Sequence, residues 1–295
     1  MLRRSPMALV AVLLTVILAA CGSSQGSSPS SPAATQAAAP ASHRIVSLSP
    51  PATESLFAIG AGDQVVAVDD QSNYPAEAPH TKLSSYQPNV EAVAEYDPDL
   101  VVISFDPGDV VDGLKKLHIP VLMQAAPTDL EGAYAQIEEL GEATGHAAEA
   151  RQVVSDMRSR IAGVVDAKPG LGLSVYHEIS PDYYSATSKT FIGSVYTLLG
   201  ARNIADAAGG KAPDYPQLSA EYVVDSDPDV IVLSDTKCCN QSAKTVGSRP
   251  GWDELTAVQS GNVVPVDDDI ASRWGPRIVD FVAAVGQAFE RASGT

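Results

Sequence analysis

The chain of 295 residues is 45% apolar and carries 36 acidic against 19 basic residues, a formal net charge of −17. Its length and apolar content are those of a globular protein with room for two modest domains. So acidic a balance excludes nucleic acid as a partner and suits an extracytoplasmic body, or one that docks on a basic surface.

In chain order, Arg3 and Arg4 precede an almost unbroken apolar run from Met7 to Ala20. Its ~14 residues fall short of the about 20 that span a membrane, so residues 1–20 read as a secretory signal. Without them the balance is 17 basic against 36 acidic residues, net −19. Residues 21–43 are almost only small and polar beyond Cys21 and predict a flexible tether. Order begins at Arg44. Residues 45–48 read as a strand, and Ser49 as the cap of a helix with Pro50 and Pro51 in its first turn. Gly60 or Gly62 ends that helix, and residues 65–68 form a second strand.

The next stretch returns later in the chain. Glu-Ala-Val-Ala-Glu-Tyr-Asp-Pro-Asp-Leu-Val-Val-Ile-Ser at 91–104 reappears at 221–234 as Glu-Tyr-Val-Val-Asp-Ser-Asp-Pro-Asp-Val-Ile-Val-Leu-Ser, with seven of fourteen positions identical. Asn89 or Ser219 caps a short helix in each copy, and Glu91 or Glu221 places a carboxylate in its first turn, where the helix dipole favours it. Pro98 or Pro228 ends the helix. Four β-favouring residues then follow without alternation, the pattern of a strand buried on both faces. Two copies so far apart predict two similar lobes.

Between the copies, residues 109–117 read as a helix, 120–123 as a strand and 130–140 as a helix. Apolar residues from Ala150 to Val165 keep helical spacing over 147–165, a rod of ~30 Å at 1.5 Å per residue. Pro169-Gly170 breaks the chain there. A strand at 173–176, a helix at 192–199 stopped by Gly200, a strand at 263–266 and a closing helix at 276–291 complete the second half. Alternation of strand and helix predicts parallel sheets with covered faces. The fold class is α/β: lobes at 44–145 and 170–295 joined by one long helix within 146–169.

Enzyme chemistry finds no support. Gly-x-Ser-x-Gly, a phosphate-cradling glycine loop and His-Glu-x-x-His are all missing from the sequence. His177-Glu178 is the nearest thing to a catalytic pair, and a lone histidine at a strand end reads as structural. His43, His80, His118, His146 and His177 are scattered, and the cysteine spacing fits no zinc site, so no metal site is expected. The adjacent Cys238 and Cys239 form either a vicinal disulfide or two thiols. Ligands of parallel α/β sheets sit beyond the carboxyl ends of the strands, here near Ser49, 69–74, 105–108, 178–184, 236–240 and 267–274.

The landmarks Arg44-Ile45-Val46-Ser47-Leu48-Ser49-Pro50 with Thr53-Glu54, Ser72-Asn73-Tyr74-Pro75, the two Asp-Pro-Asp units, Leu199-Gly200-Ala201 and Gly275-Pro276-Arg277 occur in that order from Arg44 to about Phe289. In these the chain resembles the cobalamin and siderophore type of ABC-transporter substrate-binding proteins. The resemblance implies two lobes on one backbone helix with a ligand cleft between them, no cofactor, and delivery of a metal chelate such as cobalamin to a permease and its ATPase. A ferric siderophore or haem is the alternative ligand. It implies ligand contacts from Ser49, Tyr74, Tyr86, Tyr183, Tyr184, Asp269, Arg273 and Trp274, and permease docking through Glu91 and Glu221. The vitamin B12 binders of this family are tryptophan-rich in the cleft, and Ser85 or Tyr86 stands near one of those tryptophan positions. Leu18-Ala19-Ala20-Cys21 resembles the lipobox of bacterial lipoproteins, which implies cleavage before Cys21, acylation of its thiol and a monomer anchored by lipid on the extracytoplasmic side of a bacterial cell membrane.

Overall fold

In the computed structural model, which describes residues 44–208 and 214–294, strands and helices build two parallel sheets. The first half runs β1 (Ile45–Leu48), α1 (Pro50–Ala58), β2 (Val65–Asp69), β3 (His80–Leu83), α2 (Val90–Ala94), β4 (Leu100–Ile103), α3 (Val110–Lys116), β5 (Val121–Met123) and α4 (Leu130–Thr144). Its sheet has the order β3-β2-β1-β4-β5. Then α5 (Ala147–Val165) leads into β6 (Ser174–Glu178), α6 (Phe191–Leu198), β7 (Arg202–Asn203), α7 (Ala220–Ser226), β8 (Val230–Leu233), α8 (Thr236–Cys239), α9 (Ala243–Gly247), α10 (Thr256–Gln259), β9 (Val263–Pro265), α11 (Asp268–Ser272) and α12 (Ile278–Ser293). The second sheet has the order β7-β6-β8-β9. The expected signal, tether and acylated Cys21 lie outside the described residues.

The unalternating apolar runs have a direct cause. In β8, Val230 and Val232 face one core cluster while Ile231 and Leu233 face another. In β4, Val102 faces that same first cluster, and Val101 and Ile103 face a third. Each sheet therefore has one private face and one face on a core shared with α1, α4, α5, α6 and α12. Burial on both faces removes the period-2 signal and leaves a hydrophobic run.

Caps fall where the sequence puts them. Ser49 Oγ accepts from Ala52 N at 3.4 Å, Asn89 from Ala92 N at 2.8 Å, and Ser219 from Tyr222 N at 3.1 Å. Asp97 and Asp227, each before its proline, adopt positive φ of 48° and 38°, so both copies of the repeat stop their helix alike. Burial repeats too: residues 91–98 and 221–228 have the same buried, half-buried and exposed pattern.

Two strands escaped the sequence reading, β3 and the two-residue β7. β3 is His-Thr-Lys-Leu, an edge strand with only Leu83 buried, so it carries neither an apolar run nor a clean alternation. The long helix α5 is held on two sides at glycines. A Cβ on Gly141 of α4 would lie 2.4 Å from Ala150 Cβ, and one on Gly286 of α12 would lie 2.3 Å from Val164 Cγ1. Both positions let a neighbouring helix approach α5 closely, one near each end of it. Because the core is continuous from sheet to sheet, wide opening of the lobes would expose apolar surface at ~25 cal/mol per Å².

Candidate functional site

At the carboxyl ends of β1, β2, β3 and β4, the chain places Pro50, Pro51, Gln71, Ser85, Tyr86, Ser104 and Phe105 along one wall of a cleft. Asp269, Ser272, Arg273 and Trp274, from α11 and the turn after it, form the facing wall. This is where a parallel α/β sheet exposes strand ends free of crossover helices. The recess holds about 270 Å³, less than the ~300–1,000 Å³ usual for ligand pockets. A larger flat molecule would rest across its mouth.

The first wall is aromatic and open. Tyr86 is 66% exposed and Phe105 41% exposed, with ring centroids 5.7 Å apart and tilted by 47°. Trp274 is more constrained: its Nε1 donates to Gln136 Oε1 at 2.8 Å, and its ring meets Phe191 edge-on at 6.4 Å. The second wall is ionic. Asp269 Oδ1 accepts from Arg273 Nη2 at 2.8 Å, and Oδ2 accepts from Lys237 Nζ at 2.8 Å and Asn73 Nδ2 at 3.1 Å. Burial alone would raise the Asp269 carboxyl, but bonds from Lys237 and Asn73 and the Arg273 charge hold it below the usual carboxylate range.

Of the eight expected contacts, Tyr86, Asp269, Arg273 and Trp274 line this cleft. The other four do not. Ser49 is buried, its hydroxyl bonded to Ser104 Oγ at 2.6 Å. Tyr74 turns away from the cleft, with the Arg277 guanidinium 4.0 Å over its ring. Tyr183, at φ 65°, stacks on Trp252 at 5.7 Å beside Arg249 and Glu221. Tyr184 pairs with Gln217 in an antiparallel bridge. Phe105, Gln71 and Ser272 replace them. All three fall in stretches legible as strand ends, 105–108, 69–74 and 267–274, but nothing in the local sequence singled out these residues within them.

Arg273 differs from expectation in its availability. It is 8% exposed, and its two terminal nitrogens donate to Glu54, Asn73, the Gln71 carbonyl and Asp269. It belongs to an ion cluster, not to a free cationic site.

His177 and Glu178 sit on opposite faces of β6 and do not act as a pair. His177 is fully buried against Tyr196 and Phe281, bonded to Tyr196 OH and to Ser234 Oγ, and burial pushes its pKa to about 3. Glu178 instead receives both Arg249 terminal nitrogens at 2.6 Å. Beside it, burial and then the Glu178 charge push Asp235 up to about 7. Cys238 and Cys239 form a vicinal disulfide in α8, whose first turn is capped by Asp268 through the amides of Thr236, Lys237 and Cys238. Neither cysteine lines the cleft. Glu91 and Glu221 are exposed in the first turns of α2 and α7. Among the described residues there is no cluster of three or more His, Cys, Asp or Glu able to hold a metal ion, and no helix long and apolar enough to cross a membrane.

The chain is similar to known proteins in sequence and fold. The sequence profile described as periplasmic binding protein matches residues 45–270. A cobalamin-binding protein of Halobacterium salinarum is 34% identical over 263 residues, covering 85% of this chain and 70% of its own. Among solved structures, the periplasmic vitamin B12 binding protein of Vibrio cholerae superposes with a TM-score of 0.73 at 26% identity, covering 86% of this chain and 98% of that one. The periplasmic heme-binding protein RhuT from Roseiflexus sp. RS-1 reaches 0.74 at 23% identity, covering 85% and 99%. That last likeness is one of fold alone.

Proposed function

Since the chain belongs to the periplasmic binding protein family, we propose that it captures a corrinoid of the cobalamin type outside the cytoplasm and delivers it to an ABC importer. The observation that carries this is the pairing of walls: exposed Tyr86 and Phe105 on one side, and on the other an Asp269 carboxylate beside an arginine with no free terminal donor. A corrin is a broad ring with amide arms. Its face packs on aromatic rings, and its amide N–H groups donate to a carboxylate, a charge-assisted bond. Anionic chelates would meet Asp269 without a spare cation. The relatives named for cobalamin and vitamin B12 support the same ligand class.

In this reading Cys21 carries the lipid that holds the protein at the membrane, residues 22–43 are the tether, and Glu91 and Glu221 meet basic residues of the permease. The test is a calorimetric titration of a form beginning after Cys21 with cyanocobalamin, cobinamide, haemin and a ferric hydroxamate. Binding of either corrinoid below micromolar Kd is expected. No corrinoid binding at tens of micromolar, with tight binding of haemin or the ferric chelate, would transfer the assignment to that ligand.

A further inference from the structure

Glu54 belongs to α1 on the first lobe, yet its carboxylate is buried between two guanidinium groups of the second. Arg273 Nη1 donates to Oε1 at 3.1 Å. Arg277 donates through Nε to Oε2 at 2.8 Å and through Nη2 to Oε1. The remaining terminal donors of Arg273 go to Asn73 Oδ1 at 2.8 Å, the Gln71 carbonyl at 2.9 Å and Asp269 at 2.8 Å. Each Nη carries two hydrogens, so all four are used. Lys237, the other cation touching Asp269, is shared with Asp267 at 2.7 Å. The cluster thus crosses the lobe boundary and leaves Arg273, the cation among the cleft-lining residues, with no free terminal donor.

Resting on the corrinoid reading, we propose that Glu54 is a specificity-determining residue. By pairing Arg273, with Arg277 completing the pair from behind, it withdraws the charge of Arg273 from the cleft, and so excludes chelates bearing carboxylate or catecholate charge in favour of neutral, amide-bearing rings. A ligand anion entering this cleft loses its water, meets Asp269, and finds Arg273 saturated. Specificity arises here from an uncompensated charge imposed on the wrong ligand, as much as from contacts to the right one. Glu54 touches no ligand in this scheme. It acts through Arg273, whose hydrogen bonds it completes from 219 residues away in sequence.

The experiment is Glu54→Gln, which keeps the shape and removes the charge. The amide oxygen can still accept from Arg273 Nη1, but the carboxylate charge that compensated Arg273 is gone, which leaves an uncompensated charge at the cleft. Titrations of wild type and variant with cyanocobalamin and with haemin, a dicarboxylate, read the ratio of their affinities. That ratio is expected to shift toward haemin by at least about tenfold, the order of one charge-assisted contact. Loss of a buried partner can unfold a protein. If E54Q does not fold, E54Q/R277M removes one cation with the carboxylate and carries the same expectation, because Arg273 still loses Glu54. A folded variant whose ratio stays at the wild-type value, or moves toward the corrinoid, overturns the role of Glu54. Failure of the wild type to bind any corrinoid overturns the underlying reading instead, whatever the variants do.

Discussion

His177 and Asp235 illustrate at the scale of single residues what burial does to charge. The folded protein holds His177 near pKa 3 against an ordinary value of 6.5, because desolvation opposes the imidazolium. Between those values the unfolded chain binds a proton that the folded chain does not. The stability this site contributes is therefore full above pH ~6.5 and is lost as pH falls toward 3, at up to ~1.4 kcal/mol per pH unit. Asp235 has the opposite sign. Raised to about 7 from 3.8, it keeps a proton that the unfolded chain releases, and its contribution is present below about pH 4 and lost as pH rises through 7. Urea unfolding at pH 5, 6 and 7 separates the two. His177→Gln should be less stable than wild type at pH 7, and the gap should close by about 2 kcal/mol at pH 5. A gap constant across that range would mean that His177 does not titrate as its burial requires.

At the scale of elements, α5 is the part on which both lobes rest. Its residues Ala150 and Val164 occupy the spaces left by Gly141 of α4 and Gly286 of α12. Gly286→Val should force α12 away from α5 and cost about 2–3 kcal/mol, the usual penalty of overpacking a core. Gly163 is on the same helix, but a Cβ there meets nothing within 4 Å. Gly163→Ala should therefore stabilise by ~0.5–1 kcal/mol through helix propensity. Denaturant midpoints check both. Equal small effects would show that α5 is not gripped where the glycines lie. The short α8 is a different kind of element. Asp268 supplies its cap from α11, so the Cys238–Cys239 turn is held to the same segment that carries Asp269.

Across the whole molecule, the two Asp-Pro-Asp units put Glu91 and Glu221 at equivalent places. Each of α2 and α7 directly precedes a central parallel strand of its own sheet, β4 and β8. Capping alone contributes ~0.3–1 kcal/mol at an exposed helix start and does not require the same spacing to proline twice. Charged rim contacts chiefly set encounter rate and register. Replacing both glutamates with alanine should leave ligand affinity and melting temperature nearly unchanged while binding to the importer and uptake collapse. Normal transport by the double variant, or loss of ligand instead, would remove these residues from docking. The continuous core between the sheets adds an expectation of small closure on binding, in contrast to wide hinge motion.

Local physics was legible in the sequence wherever a single element determined it. The Ala147–Val165 helix, the caps at Ser49, Asn89 and Ser219, and the doubly buried strands β4 and β8 each follow from spacing, a capping side chain or an apolar run within ten to twenty residues. Carboxyl-end placement of the cleft follows from parallel topology, which the alternation of strands and helices encodes. Direction and partnership were decided only in three dimensions. Whether a strand-end tyrosine faces the cleft depends on the φ of its own residue and on what lies behind it, so Tyr86 points in while Tyr183 stacks on Trp252. Whether Arg273 greets a ligand or is spent within the protein depends on Glu54, Gln71 and Asn73, some two hundred residues earlier in the chain. No local pattern records such a pairing, because its energy comes from desolvated charges that meet only after both lobes have folded.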